Sequence, residues 1–462
     1  MRIEKMFCPR SIAVIGASDT PGKLGYEAMQ NAAMFDGPVY PVNPSRSGAI
    51  FNREFIASVS DIDHDVDLAL ICVPAPVVPE IVEECSEAGV NSAVIFAGGF
   101  GEAGSEGQEL QDRLLDVISE SEIHLLGPNT SGFFVPSADL YGTFVTGIDT
   151  ISPGNVAIVA QSGGLAFAIA FQAENEGIGL SAVVGLGNRI NVSFEEIIEY
   201  FDSDENTDAI VLHVEGTDNG RILLETCRSI DTPIVAYKVG KYDVGDFAES
   251  HTGALTGEYE LYEAGFNQFG VPSVRSTTEL LDAGKTLALS PQPKGSNIGI
   301  ITAQAGPGIA IMDHVRGTEA TLPSFTDDTR RTVEELLPGF TYSLNPVDTG
   351  RPMAEFGDVI AAVAHDDNID IVLVYELYES GLGYPVETLS ELGDEVRKPI
   401  ILVTGGPEVV VSEELAEIEE FGIPTFRTPE RGANAVKALV QYAERNRRPN
   451  AVSVQTEGST DD

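Results

Sequence analysis

One histidine of the sequence stands where it could do chemistry. His251 lies in the segment ESHTGAL (249–255), flanked by small and hydroxyl-bearing residues. Such neighbours give an imidazole little to pack against in a core, and an imidazole can act as a nucleophile or exchange a proton near neutral pH. We therefore expect His251 to lie on a loop ahead of a helix and to serve as a nucleophile or an acid–base group.

A carboxylate at the end of an apolar run is the second candidate. Glu215 follows AIVLHV (209–214), a run typical of a buried strand, in which His213 is expected to be a packed polar residue. A carboxylate at this point can accept a hydrogen bond from an imidazole N–H and so support a positively charged or phosphorylated ring. The residues alone do not establish that Glu215 is the partner of His251.

A glycine-rich turn could hold an anion. Ser162, Gly163 and Gly164 precede the apolar helical pattern LAFAIAF (165–171). The free N–H groups and the positive dipole end of a helix start favour a phosphate or phosphoryl group. Turns between strands and helices also use glycine for purely structural reasons, so this pattern is a weak signal by itself.

A second turn follows the first apolar run of the chain. Gly16, Ala17 and Ser18 come after SIAVI (11–15), without the complete G-x-G-x-x-G spacing of dinucleotide-binding proteins. Asn43 ends the next run, where an NAD-binding protein would carry an acidic residue, and the pair Val73-Pro74 ends a third. We expect a nucleotide-like ligand other than NAD, and a purely structural turn is the alternative.

Alternating strand and helix patterns must position these residues. Near-continuous apolar runs such as LALICVPAP (68–76) and SAVIFAGGF (92–100) are separated by helix-type stretches, which indicates parallel sheets covered on both faces. The openings NVAIVAQSGGLAFAIA (155–170) and NIGIITAQAGPGIAIM (297–312) share one pattern of strand, glycine turn and helix. We predict an α/β chain with these domains: a Rossmann-like domain (1–150), two flavodoxin-like domains (151–290 and 291–447) and an acidic disordered tail (448–462).

The charge balance limits the partners. Among 462 residues, 27 are Lys or Arg and 72 are Asp or Glu, so the formal net charge is −45. This excess argues against binding nucleic acid or an anionic membrane through a general basic face. We interpret it as adaptation of the surface to high salt, that is, a halophilic origin, and an ordinary acidic enzyme is the alternative.

The sequence also bears on the compartment. Its apolar runs are shorter than the roughly 20 residues needed to span a bilayer, and its first residues lack a secretory apolar region. Cys8, Cys72, Cys85 and Cys227 show no metal-binding spacing. We expect reduced thiols in a cytoplasmic protein.

Seven motifs in one order resemble a known family over roughly residues 5–445. They are SIAVIGAS, YPVNP, ICVPAP, GPNTSG, AQSGGL, HVEG and SHTGAL. Together they resemble the α subunit of NDP-forming acyl-CoA synthetases, the ADP-forming acetyl-CoA synthetase group related to succinyl-CoA synthetase. Residues 297–445 resemble the additional flavodoxin-like domain of the ADP-forming group.

The resemblance assigns roles to the candidate residues. It implies that His251 is transiently phosphorylated, that Glu215 supports it, and that the helix start at Ser162, Gly163 and Gly164 binds phosphate. It also implies that the first domain binds coenzyme A through a further set: Gly16, Ala17, Ser18, Asn43, Val73 and Pro74. Lys238, Lys241 and Arg189 are the candidate cations nearby.

Nothing in the sequence resembles the ATP-grasp domains of the family, and no P-loop is present. The resemblance therefore implies a separate β subunit with an ATP-grasp domain that binds ADP or ATP with Mg, in an α2β2 assembly. The implied reaction converts acyl-CoA, phosphate and ADP to carboxylate, CoA and ATP through an acyl phosphate and a phosphohistidine. The alternatives are a non-catalytic CoA-binding regulatory protein and a Rossmann-type NAD-binding oxidoreductase.

Overall fold

Short segments, most of them largely apolar, form the strands of the computed structural model, which describes residues 3–217, 219–242, 259–339 and 341–447. The chain divides into two compact units, Met1–Leu289 and Ser290–Asp462. The predicted α/β class is confirmed, because in both units helices alternate along the chain with strands that form largely parallel sheets. The predicted tail at 448–462 lies outside the described residues.

The first sheet of the first unit is wholly parallel. Its strands have the order β2-β1-β5-β6-β7, so the connections run in opposite directions from β1, and the carboxyl ends of β1 and β5 border a crevice of the kind that binds ligands. The strands up to residue 130, including a short hairpin of β3 and β4, are β1 Ile12–Ile15, β2 Val39–Val42, β3 Ala49–Ile50, β4 Arg53–Glu54, β5 Leu68–Ile71, β6 Ser92–Ile95 and β7 His124–Leu126. The helices are α1 Glu4–Phe7, α2 Leu24–Ala32, α3 Val78–Glu87 and α4 Ser105–Ser119.

The second sheet has a parallel part and an antiparallel edge. Its order is β14-β13-β12-β10-β11-β8-β9, and β8 pairs antiparallel with both β11 and β9. The strands are β8 Gly132–Val135, β9 Leu140–Thr143, β10 Pro153–Ala160, β11 Leu180–Gly185, β12 Ala209–Val214, β13 Ile234–Lys238 and β14 Ser273–Val274. The helices are α5 Gly163–Asn175, α6 Phe194–Asp202, α7 Gly220–Ser229, α8 Tyr259–Phe269 and α9 Thr277–Leu289. The second sheet thus takes two strands from residues 132–143, which precede the predicted boundary at residue 150.

The second unit contains one further parallel sheet, of order β16-β15-β17-β18-β19. Its strands are β15 Ile298–Thr302, β16 Val347–Asp348, β17 Ile371–Leu377, β18 Ile400–Gly405 and β19 Thr425–Phe426. The helices are α10 Ala305–Val315, α11 Asp327–Leu336, α12 Phe356–Ala364, α13 Val386–Glu395, α14 Glu408–Glu420 and α15 Pro429–Arg447. Helix α10 begins directly after β15, just as α5 begins after β10.

A shared core joins the two sheets of the first unit. The buried side chain of Phe7, on α1, stacks on Tyr200 with ring centroids 4.7 Å apart and meets Phe133 edge-on at 5.1 Å. Phe133 lies on β8 and Tyr200 on α6, so the N-terminal helix packs against the second sheet. Within the described ranges, the helices are all too short or too polar to cross a lipid bilayer.

Candidate functional site

Helix α5 begins at the carboxyl end of a buried strand. Ser162 caps it, because its Oγ accepts a hydrogen bond from the backbone N–H of Leu165 at 3.3 Å. A Cβ on Gly163 would lie only 2.6 Å from the backbone nitrogen of Ser131, whereas a Cβ on Gly164 would have no neighbour within 4 Å. The predicted residues therefore form a helix start that packs tightly on one side and is open on the other, where an anion can approach the N–H groups.

Gln161 fixes the position of Glu215 beside this helix start. Its side chain is buried, and its Oε1 accepts hydrogen bonds from the backbone N–H groups of Glu215 and Gly216, each at 3.0 Å. Its backbone N–H in turn donates to the carbonyl of His213 at 3.1 Å. A buried acceptor that satisfies two donors makes the junction of β10 and β12 costly to distort. The sequence pattern did not single out this role of Gln161.

A cavity of about 230 Å³ opens in front of α5. Both of its walls belong to the first unit, and they bring the predicted residues Ser162, Gly163, Gly164 and Glu215 together. The described residues that line it are Phe96, Asn129, Thr130, Ser131, Phe144, Gln161, Ser162, Gly163, Gly164, Gly187, Asn188 and Glu215. It combines backbone N–H donors, neutral polar side chains and one carboxylate, which suits an anionic substrate held near a proton-accepting group.

The GPNTSG segment (127–132) packs against the start of α5 and forms a further wall of the cavity. Thr130 Oγ1 donates to the carbonyl of Gly185 and accepts from the N–H of Gly132 at 2.8 Å. Asn129 donates through Nδ2 to Asn188 Oδ1 at 3.3 Å, and Asn188 donates to Glu102 Oε2 at 2.5 Å. These bonds connect loops from both sheets, so the wall is held from two sides.

The charges behind Glu215 are buried. Lys238 is 2% exposed, its ammonium donates to the carbonyl of Val239, and it lies 4.9 Å from the ring centroid of Tyr262. Burial lowers the pKa of Lys238, whereas the charge of Glu215 acts to raise it. Burial also lowers the pKa of His213 to about 4, and the charge of Lys238 acts in the same direction. His213 is thus a neutral, packed residue.

The other two candidate cations do not line the cavity. Lys241 is exposed, and its ammonium lies 5.7 Å from the ring centroid of Tyr242. Arg189 lies over the ring of Phe194 at 5.3 Å. The anion-binding capacity of the described cavity therefore depends on backbone N–H groups and dipoles more than on basic side chains.

The residues predicted to contact CoA meet at the crevice of the first sheet. Gly16 has φ of +86°, and a Cβ on it would lie 2.9 Å from the carbonyl oxygen of Cys72. The carboxamide of Asn43 donates to the carbonyl of Ala17 at 2.8 Å, and Ser18 Oγ accepts from the N–H of Thr20 at 3.1 Å. The carboxyl ends of three adjacent strands thus lie close together at this crevice.

Val73 and Pro74 follow β5 at the same crevice, and Pro74 is exposed. The paired ends Ile15, Ile71 and Ile95 are level with one another across β1, β5 and β6. Phe96, which lines the cavity, is therefore two strands from Gly16, on the order of 10 Å at the usual strand spacing. A ligand that extends along the carboxyl ends of these strands can reach the cavity in front of α5.

His251 lies outside the described residues. Within the described part of the chain, no group of three or more His, Cys, Asp or Glu side chains could hold a metal ion. The four cysteines are free thiols.

Two family models match the chain. A model described as a CoA binding domain matches residues 10–136, and one described as a succinyl-CoA ligase like flavodoxin domain matches residues 153–287. The first range contains the crevice with Gly16, and the second contains α5 and Glu215. The predicted succession of a CoA-binding domain and a flavodoxin-like domain is confirmed.

Curated relatives align with almost the whole chain. The "Acetate--CoA ligase [ADP-forming] I subunit alpha" of Pyrococcus furiosus is 34% identical over 460 residues, which cover 96% of this chain and 98% of that protein. The "Acetate--CoA ligase [ADP-forming] I" of Archaeoglobus fulgidus is 35% identical over 96% of this chain. The alignment spans only 64% of the Archaeoglobus protein, so that relative carries a further segment in the same polypeptide.

A solved structure has the same fold. It is the dinucleotide-forming acetyl-coenzyme A synthetase 1 of Ca. Korarchaeum cryptofilum in complex with phosphate and ADP. The two structures superpose with a TM-score of 0.87 and 30% sequence identity, over 97% of this chain and 98% of that one.

Proposed function

We propose that this chain, which belongs to the family of the ADP-forming acetate–CoA ligase alpha subunits, is the α subunit of an ADP-forming acyl-CoA ligase. The observation that carries this proposal is the cavity that both Glu215 and the N-terminus of α5 line, next to the crevice at Gly16. It offers an anion site and a carboxylate at the end of an extended ligand groove. The two alternatives, a non-catalytic CoA-binding protein and an NAD-binding oxidoreductase, are not supported by the relatives.

The proposed reaction has three steps. A phosphate oxygen attacks the thioester carbonyl carbon of acyl-CoA, the carbon–sulfur bond breaks, and CoA leaves as a thiolate that takes up a proton. The imidazole of His251 attacks the phosphorus of the resulting acyl phosphate, and the carboxylate leaves. The phosphoryl group then passes from His251 to ADP. The sum is acyl-CoA + phosphate + ADP ⇌ carboxylate + CoA + ATP.

Each assigned residue has a physical task in these steps. The N–H groups at Ser162, Gly163 and Gly164 hold the negative charge of the phosphate, which favours attack in an enclosed site. Glu215 accepts an imidazole N–H of His251 and so stabilises the positive or phosphorylated ring. The edge at Gly16, Ala17, Ser18, Asn43, Val73 and Pro74 binds CoA, because it presents small residues and backbone groups to an elongated ligand.

A partner subunit completes the proposed enzyme. We infer a separate β subunit with an ATP-grasp domain that holds ADP or ATP with Mg, in an α2β2 assembly. The further segment of the Archaeoglobus relative supports a division of one activity between two chains. We also infer a cytoplasmic location from the four free thiols and a halophilic source from the net charge of −45.

The test is phosphoryl labelling of the chain co-purified with its partner subunit. With ATP labelled at the γ-phosphate, we expect the wild-type chain to be labelled and His251→Ala to remain unlabelled, because the acceptor nitrogen is missing. His64→Ala, which changes an exposed histidine, serves as the control and should be labelled like the wild type. Labelling that persists in His251→Ala, or the absence of CoA release that depends on ADP and phosphate, would refute the proposal.

A further inference from the structure

The cavity in front of α5 has one apolar corner. Among its described lining residues, Phe96 and Phe144 alone carry large apolar side chains, and their rings meet edge-to-face with centroids 5.3 Å apart and an interplanar angle of 89°. The remaining wall is made of glycines, neutral polar side chains and Glu215. An apolar portion of a substrate bound here has only the two rings to contact.

The phosphate and the acyl group must share this cavity, whose volume is about 230 Å³. Because the attacking oxygen must come within about 3–3.5 Å of the thioester carbon, the acyl group has to occupy the same cavity as the phosphate.

The aromatic corner is held in place from behind. Phe96 is 5% exposed, and a Cβ on Gly132 would lie 3.0 Å from its Cε1, so the ring already rests against the backbone of β8. It therefore has no room to retreat when a larger ligand enters.

The backbone on both sides of Phe144 is fixed by a buried side chain. Asn31, on α2, is 3% exposed, and its Nδ2 donates to the carbonyls of Thr143 and Val145, each at 2.8 Å. Thr143 Oγ1 accepts from the N–H of Val145 at 3.0 Å and donates to the carbonyl of Ser131 at 2.5 Å. Phe144 thus stands between two tethered residues, and its backbone position is fixed.

We infer that the Phe96–Phe144 pair determines acyl specificity: it contacts the alkyl part of a short acyl group and excludes long or aromatic acyl groups. The inference rests on the proposed function, since it assigns the acyl subsite of that same cavity. An acetyl methyl group can contact the two ring surfaces, and we expect the bulkier phenylacetyl group to be disfavoured while both rings are present. In an apolar pocket a difference of one methylene changes kcat/KM by about 10- to 200-fold, so removal of a ring should give a clear shift.

The test compares acetyl-CoA with phenylacetyl-CoA in the complex of this chain and its partner subunit. We measure ADP- and phosphate-dependent CoA release and take the ratio of the two kcat/KM values. The wild type should prefer acetyl-CoA at least tenfold, and Phe144→Ala should shift the ratio at least tenfold toward phenylacetyl-CoA. Phe96→Leu, which shortens the buried wall with less risk to folding, should shift the ratio in the same direction.

A matched control distinguishes a change in acyl specificity from a general loss of activity. Phe35 is partly buried against the same core but is not among the residues that line the cavity, so Phe35→Ala should keep the wild-type ratio. An active wild type without acetyl preference, or a ratio unchanged in both Phe144→Ala and Phe96→Leu, overturns the specificity assignment alone. A wild-type complex that releases no CoA from either thioester overturns the proposed function and the inference with it.

Discussion

Two adjacent glycines at the start of α5 have opposite steric surroundings. A Cβ at position 163 would collide with the backbone nitrogen and Oγ of Ser131, at 2.6 and 2.8 Å, whereas position 164 faces open space. Gly163 therefore permits the close approach of α5 to the segment before β8, while Gly164 leaves room in the cavity. The two residues have the same type, but different physical constraints require it.

This difference predicts unequal stability effects. We expect Gly163→Ala to lower the free energy of unfolding by about 1–3 kcal/mol, because an added methyl group overpacks a junction with little freedom to move. Gly164→Ala should stay within about 0.5 kcal/mol of the wild type. Urea unfolding followed by circular dichroism measures both values. Equal effects of the two variants would contradict the close contact between Gly163 and Ser131.

The sequence predicts the chemically distinctive residues better than the residues that hold them. Glu215 and the Ser162–Gly164 turn were predicted as separate sites, and the structure brings them to one cavity. Gln161, which ties them together, lies in the AQSGGL motif, but its role was not predicted, because its two hydrogen bonds exist only once β10 and β12 are neighbours. Phe96 and Phe144 were missed for a similar reason: aromatic residues after strands usually indicate a core, and only their tertiary neighbours reveal a cavity wall.

At the scale of elements, strand and helix alternation was predictable and sheet membership was not. Buried strands such as β1, β5 and β6 are continuous apolar runs, and their parallel pairing follows from the intervening helices. Strands β8 and β9 lie in the stretch 132–143, which glycine, proline and aspartate interrupt, and they extend the second sheet in antiparallel fashion. Such short strands form because a neighbouring strand of the sheet is available to pair with them. Local sequence does not specify that pairing.

A buried acid at the end of β17 illustrates another contact between elements. Glu376 is 2% exposed, and its Oε2 has no hydrogen-bond partner among the described residues. Burial raises its pKa to about 8, and the charge of Glu414 on α14 acts in the same direction. Tyr384, whose hydroxyl contacts Thr404, and Arg427 lie in the same region.

The raised pKa predicts how stability depends on pH. The unfolded chain loses the proton of Glu376 near pH 4.5, whereas the folded chain keeps it until about pH 8. The folded state thus binds more protons in this window, and the contribution of Glu376 to stability falls as pH rises from 4.5 to 8, by an amount on the order of a few kcal/mol.

We therefore expect Glu376→Gln to raise the thermal midpoint at pH 8 by several degrees and to change it much less at pH 5. Calorimetry of the full chain at both pH values measures this. The control is Glu413→Gln, since Glu413 is an exposed acid on the same helix α14 as Glu414, and it should leave the pH dependence unchanged. The same pH dependence in Glu376→Gln and the wild type would show that Glu376 does not stay protonated in the folded state.

At the scale of the whole molecule, the net negative charge of the chain repels the anionic ligands proposed for it. A chain with a formal net charge of −45 repels phosphate, CoA and ADP at low ionic strength. Added salt shortens the screening length from about 8 Å at 0.15 M to about 3 Å at 1 M, which weakens that repulsion and the repulsion among surface carboxylates.

We accordingly expect the thermal midpoint of the full chain to rise when KCl is increased from 0.15 M to 2 M, because the self-repulsion of the folded state is screened. Differential scanning calorimetry at constant pH measures the change. Sucrose at matched water activity is the control, since it provides no ionic screening. A midpoint that is unchanged or lower in 2 M KCl would contradict the interpretation of the charge as adaptation to salt.

The anion site proposed at α5 has an evolutionary consequence. Its donors are main-chain N–H groups, which every residue except proline supplies and which no point substitution converts to the opposite charge. A lineage can therefore replace surface Lys and Arg with Asp and Glu over many generations without eroding the capacity to bind phosphate. Selection for an acidic exterior and selection for an anion-handling catalyst then act on separate sets of positions, and neither constrains the other.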